Sequence, residues 1–191
     1  MIVFVSGGAR SGKSHYAEGL AVQIADGRSI GYIATGEAMD AEFHARIRHH
    51  QARRGPAFHT IEESIEIDRA VGASLTAHPV ILLECITTWL GNVFHHGLIA
   101  AGVSAQAATE AQTFATIEQA AHDCIVRLIA QAQCQLETTL IVVSNEIGLG
   151  LVPPDAMSRA YRDMHGRVNR LLAEAANEAW FIIAGLPLRL K

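Results

Sequence analysis

The chain is poor in cysteine, proline, aromatic residues and charge, and each shortage removes a class of protein. Its three cysteines, Cys85, Cys124 and Cys134, lie far apart and are odd in number. They form neither a disulfide framework nor a zinc pattern, and they suit a reducing, cytoplasmic setting. Five prolines and no Pro- or Ser-rich stretch leave nothing to read as a linker, so residues 1–191 are expected to form a single domain. The longest apolar runs, such as "PVILL" and "LIVV", are far too short for a membrane span. No basic segment precedes the first apolar run, which argues against a secretory leader. Lys and Arg number 15 against 19 Asp and Glu, a net charge of −4. That balance excludes a nucleic-acid binder that depends on a basic surface. Only 18% of residues are charged while half are apolar, which excludes disorder and gives a globule with a real core. No internal repeat is visible.

What is present is a series of short apolar runs. "MIVFVS" (1–6), "SIGYIAT" (29–35), "VILLECI" (80–86), "LIVVSN" (140–145) and "AWFIIAG" (179–185) do not alternate polar with apolar. Each therefore reads as a strand buried on both faces. Residues 13–26, 40–54, 104–136 and 155–178 are long enough for crossover helices, while 97–105 reads as a loop or a helix boundary. Strand and helix in alternation predict an α/β fold with a mostly parallel central sheet and helices on both faces.

"GGARSGKS" spans residues 7–14, between the first strand and the first helix. Gly7, Gly12, Lys13 and Ser14 satisfy G-x-x-x-x-G-K-[ST] in the context that gives the motif its meaning. Glycines let the backbone N–H groups and the helix N-terminus close around phosphate. Lys13 is expected to reach the β- and γ-phosphates of a nucleoside triphosphate, and Ser14 to ligate Mg²⁺. The base is not specified, and the N-K-x-D guanine signature is absent. Glu84 ends the apolar "VILLE", where a carboxylate is costly unless solvated, paired or metal-linked. It is either a ligand on the Mg²⁺ or substrate side, or a cap for the following helix.

"DAEFHARIRHHQARR" (40–54) has two helical stripes at about 100° per residue. Phe43, Ile47, His50 and Arg54 share one, and Glu42, Arg46, His49 and Arg53 the other. Two arginines beside His49 suit an anionic ligand and disfavour protonation of its ring, although a solvated charged face has the same spacing. Adjacent helical histidines diverge, so joint metal chelation by His49 and His50 is not expected. Asn145 and Glu146 follow a strand at the sheet edge where ligands bind, or else form a tight connection to the next helix. Arg159 and Asp163 are spaced as a structural i,i+4 pair, and Arg162 could face phosphate. His95 and His96 read as surface residues.

Taken in order, "GGARSGKS", "YIATG", "RIRHHQARR", "HTIEE", "LLECITTWLGN", "VSNEIGLGLVP", "YRDMHGRVN" and "GLPLRLK" resemble one family. It is the bifunctional adenosylcobinamide kinase/adenosylcobinamide-phosphate guanylyltransferase family of cobalamin biosynthesis. The resemblance runs from residue 2 to the C-terminus and is weakest between about 97 and 137. It implies a P-loop NTPase fold of RecA-like type and a homotrimer. It also implies two reactions: phosphorylation of adenosylcobinamide by ATP or GTP, then transfer of GMP from GTP through a GMP–histidine intermediate. The family's nucleophile is the first histidine of the pair, here His49. Nucleotide contacts carried over by motif are Gly7, Gly8, Ala9, Arg10, Ser11, Gly12, Lys13 and Ser14, then Ile33, Ala34 and Thr35. His50, Gln51, Ala52, Arg53, Glu62 and Glu84 complete them, with Ser14 and Glu84 on Mg²⁺. Glu84 stands where many members have Asp. A monofunctional small-molecule kinase and a nucleotide-dependent switch are the competing readings of the same loop.

Overall fold

The computed structural model describes residues 1–36, 55–102 and 111–191. Seven strands form one sheet in the order β3-β2-β4-β5-β1-β6-β7. They are β1 (Ile2–Gly7), β2 (Ile30–Ala34), β3 (Phe58–Glu62), β4 (Val80–Glu84), β5 (Thr139–Asn145), β6 (Glu178–Ile183) and β7 (Leu186–Arg189). All pair in parallel except β7, which returns antiparallel on β6. The described helices are α1 (Lys13–Ala25), α2 (Ile67–Ser74), α3 (Ile86–Ala100), α4 (Ala111–Cys134) and α5 (Ala156–Ala175).

The unbroken apolar runs are explained by what each face touches. Ile2 and Phe4 of β1 join Ile81, Leu83, Leu140 and Val142 in a core shared with α2, α3, α4 and α5. Val3 and Val5 point the other way, with Leu82, Ile141 and Val143, against Ala17, Ala21 and Ala25 of α1. Successive residues face opposite sides of a strand, so both must be apolar when helices cover both sides. Trp89 anchors the larger core: it is wholly buried, and its indole N–H donates to Ile65 O at 2.8 Å.

Two strands and two helices go beyond the sequence expectation. β3 is an edge strand with half-exposed and exposed residues, and β7 is exposed throughout and contains Pro187. Edge positions tolerate proline and polar residues because one side of the ladder is unpaired. α2 is short. α3 runs unbroken to Ala100, through the "GLIA" that reads as a boundary in sequence. Gly97 is what allows this, since a Cβ there would lie 2.5 Å from Ile117 Cγ1 of α4. α3 and α4 approach too closely for any larger residue without displacing that side chain.

Candidate nucleotide site

The phosphate loop leaves β1 at its carboxyl end, the edge where parallel sheets bind ligands. Gly7 must be glycine for lack of space: a Cβ would lie 2.6 Å from Ile182 O, a backbone atom. The turn then uses left-handed backbone at Arg10 (φ 57°) and Gly12 (φ 94°). Ser11 N–H closes it on Gly8 O at 3.2 Å. Outside support comes from the β6–β7 hairpin, where Gly185 N–H donates to Ser11 O at 2.9 Å. No side chain caps the N-terminus of α1. Its first N–H groups are therefore available to an anion, as phosphate binding requires. Lys13, the first helical residue, is buried and places its ammonium 3.3 Å from Gly8 O, inside the curve of the loop.

Sheet register brings further groups to the same edge. Ala34 of β2 is level with Glu62 of β3 on one side and Glu84 of β4 on the other. Tyr32 OH donates to Glu84 Oε2 at 3.1 Å. The helix that follows is capped by Cys85, whose Sγ accepts from Thr88 N–H at 3.4 Å. Capping therefore falls to Cys85, which leaves Glu84 available to the site. Burial pushes the Cys85 thiol above its usual pKa, so it stays protonated.

Of the triplet Ile33–Ala34–Thr35, Ile33 is packed wholly within the core and Ala34 lies at the edge. Thr35 is buried, and its hydroxyl accepts from Cys85 N–H at 2.9 Å and donates to Cys85 O at 2.8 Å. Asn92 Nδ2 donates to Thr35 O at 2.8 Å. The hydroxyl of Thr35 is therefore spent on fixing the tip of β4 behind Glu84. Glu62 is exposed at the end of β3. His49, His50, Gln51, Ala52 and Arg53 lie outside the described residues.

The tip of β5 is held by a buried polar cluster that gives little sign of itself in sequence. Asn145 N–H donates to Thr87 Oγ1 at 2.9 Å, and Asn145 O accepts from Asn169 Nδ2 at 2.9 Å. Thr87 Oγ1 lies 2.9 Å from His165 Nε2, and Ser144 Oγ donates to Asn169 Oδ1 at 2.6 Å. Tyr161 OH donates to Thr87 O at 2.8 Å. Burial lowers the His165 pKa from 6.5 to about 4, so the ring is neutral at physiological pH. One available signal is the i, i+4, i+8 spacing of Tyr161, His165 and Asn169, which puts them on one helix face. Glu146 follows, donating its N–H to Gly7 O at 2.9 Å and accepting from Gly148 N–H.

Arg159 and Asp163 do not form the expected i,i+4 pair. Arg159 donates to Pro153 O at 2.9 Å and to Pro154 O at 2.6 Å, while Asp163 is bound by Arg162 at 3.0 Å. The two proline carbonyls before the helix lie nearer Arg159 than the carboxylate a turn away. His95 and His96 are exposed, as expected. Beside the loop after β5 lies a mainly apolar cleft of about 480 Å³, walled by Phe94, Leu98, Ile147, Leu151, Met157 and Tyr161. Among the described residues no His, Cys, Asp and Glu group together in a way that could hold a metal on its own.

A glycine loop cradling a lysine, with a strand-end carboxylate two strands along the same sheet edge, gives the arrangement of a P-loop α/β protein. The family model described as "Cobinamide kinase / cobinamide phosphate guanyltransferase" (CobU) matches residues 3–190. The chain belongs to that family. It is 38% identical to the bifunctional adenosylcobalamin biosynthesis protein CobU of Escherichia coli, over the full length of both chains. Identity is 40% to the protein of the same name from Salmonella typhimurium, again over both full lengths. A third relative, the bifunctional adenosylcobalamin biosynthesis protein CobP of Pseudomonas aeruginosa, is 34% identical over 98% of this chain and 95% of its own.

Proposed function

We propose that the protein phosphorylates adenosylcobinamide and then guanylylates the product, giving adenosylcobinamide-GDP. The observation that carries this reading is full-length membership of the family, joined to a phosphate loop that holds the buried Lys13 ammonium against Gly8 O. In the first reaction the aminopropanol hydroxyl attacks the γ-phosphorus of ATP or GTP. An O–P bond forms, the bridge to the β-phosphate breaks, and the hydroxyl proton passes to solvent. In the second, a ring nitrogen of His49 attacks the α-phosphorus of GTP, and pyrophosphate leaves. The substrate's phosphate oxygen then attacks the same phosphorus, breaking the P–N bond and freeing His49. Covalent capture divides one hard transfer into two easier displacements. Lys13 and the N–H groups of the loop offset charge on the transferring and departing phosphates.

Ser14, in the first turn of α1, and Glu84 supply oxygen donors of the kind Mg²⁺ prefers, so this edge fits the ion. When bound, Mg²⁺ would neutralise charge on the β- and γ-phosphates. The corrinoid is too large for the phosphate loop, and the apolar cleft beside the β5 loop gives it a surface. The described helices include none long and apolar enough to cross a membrane, and the cysteines are free, which suits a cytoplasmic enzyme. A homotrimer is part of the same reading. It is supported by the exposed apolar edge of Leu186, Leu188 and Leu190, and light scattering reads it directly.

Incubation with GTP labelled at the α-phosphate tests the proposal. Acid-labile, base-stable label should appear on the protein, and mass spectrometry should place it on His49. His49→Ala should abolish the label while nucleotide binding survives, and His50→Ala should still be labelled. A monofunctional kinase or a switch would give no label in any of the three proteins. Turnover with adenosylcobinamide then separates those two.

A further inference from the structure

β5 stands between β1, which ends in the phosphate loop, and β4, which ends in Glu84. Its last residue, Asn145, is level with Gly7 and two positions beyond Val143, the partner of Glu84. Neighbouring strands lie about 5 Å apart, so a phosphate chain running from the loop toward Glu84 passes over Asn145. The main chain of Asn145 is clamped on both sides, by Thr87 through its N–H and by Asn169 through its carbonyl. Each clamp is itself held, Thr87 against His165 and Asn169 by Ser144. Ser144, His165 and Asn169 are buried, and burying polar groups is favourable only when they are bonded to one another.

The side chain of Asn145 joins none of these bonds. Its Oδ1 is buried without a hydrogen-bond partner among the described residues. A rigid mount of four polar residues thus fixes a main chain whose own side chain is unspent. That is the arrangement expected of a ligand-contacting group held by supporting residues.

We propose that the carboxamide of Asn145 donates a hydrogen bond to the terminal phosphate of the bound nucleoside triphosphate. Thr87, Ser144, His165 and Asn169 are positioning residues that aim it. With Oδ1 turned inward, the amino half of the amide is the end left to face the loop. It offers two N–H donors to a phosphate oxygen and no negative charge to repel it. His165 suits the task because its burial keeps it neutral, so the mount does not change charge near neutral pH. The inference rests on the reading that the loop binds a nucleoside triphosphate.

Calorimetric binding of GDP and of the β,γ-imido analogue of GTP, each with Mg²⁺, tests the contact without corrinoid or turnover. Asn145→Ala should bind GDP within about twofold of wild type and the triphosphate analogue about tenfold more weakly, the low end for one charge-assisted hydrogen bond. Asn145→Ser serves the same purpose if the alanine variant does not fold. Asn169→Ala, which touches no nucleotide, should narrow the same preference for triphosphate over diphosphate. An unchanged preference in the Asn145 variants, or equal weakening of both nucleotides, overturns the contact. Lower thermal stability of Asn169→Ala with the preference intact would make the cluster structural and overturn its aiming role. A wild-type protein that binds neither nucleotide would overturn the inference together with the nucleotide site. Nucleotide discrimination without cobinamide turnover would leave the inference standing and sink only the kinase reading.

Discussion

The tips of β4 and β5 lie side by side and solve one problem in two ways. Each must hold a polar residue still at the end of a strand that is otherwise apolar. At β4 the device is a hydroxyl: Thr35 bonds both the N–H and the carbonyl of Cys85, just behind Glu84. At β5 it is a side-chain cluster centred on a buried imidazole, reaching from α3 to α5 behind Asn145. A hydroxyl has no charge to gain, whereas an imidazole can be forced to take a proton. The two halves of the edge should therefore differ in their response to pH.

Lys13 lies close enough to Cys85 at the β4 tip for its charge to act there, and its loss should have the largest effect. Lys13→Ala should cut the rate of both reactions by on the order of 10²–10³, as expected for losing a main transition-state donor. Steady-state kinase assay and labelling with GTP read the two reactions separately. Near-normal kinase turnover in a folded variant would remove the loop from the active site. Next comes Thr35→Val, which keeps the shape but strands the Cys85 N–H, while Cys85 O still accepts from Trp89 N–H. A stability loss of about 1–3 kcal/mol is expected in urea unfolding, from one unmet donor near a buried turn. A loss under about half a kcal/mol would mean that Thr35 does not hold the β4 tip.

Charge on His165 sharpens the contrast further. Its folded pKa, about 4, lies below the ordinary 6.5. Between those values the unfolded chain binds a proton that the folded protein refuses. Stability is thus full above about pH 6.5 and falls as pH drops toward 4. From pH 7.5 to 5 this one group should remove about 2 kcal/mol. Urea unfolding at the two pH values should show the slope in wild type and a reduced slope in His165→Gln. Equal slopes would mean that the ring is not held neutral. The smallest effect belongs to Glu84→Gln, which keeps an oxygen but not its charge. The Mg²⁺ concentration for half-maximal activity should rise by about tenfold, within the range for weakened metal ligation. An unchanged requirement with full activity would leave Glu84 without a metal role.

The sequence discloses the parts of this fold that are continuous along the chain and hides those assembled across it. β1, β2, β4 and β5 come from runs covered on both faces, a condition written into each run by itself, whereas β6, from "AWFIIAG", is only partly buried and leaves Ile183 exposed. β3 and β7 lie at the edges, where "FHTIE" and "LPLR" carry polar residues or proline and lose that pattern. α3 goes unread because 97–105 reads as a loop or a helix boundary, whereas Gly97 is a helical contact point with Ile117. Gly7, Gly12 and Lys13 are legible since the phosphate loop is local and its geometry dictates residue type. Thr87, Ser144, His165 and Asn169 come from three separate elements, and each taken singly is an ordinary polar residue. Their meaning lies in convergence, which only the sheet and the packing of α5 supply. The family resemblance reaches that region through "YRDMHGRVN" without saying what the histidine does.

The hydrogen bond from Gly185 to Ser11 has a consequence for how the protein is made. Ser11 is synthesised well ahead of Gly185, 174 residues further along the chain, which props it (185 − 11). β1 also waits for β5 and β6, its neighbours on either side. Contacts between such distant positions form late because so much chain must be ordered first. A nascent chain will therefore carry a complete glycine-lysine motif well before the loop is propped. The prop on the phosphate loop is complete only once the β6–β7 hairpin has been made and docked.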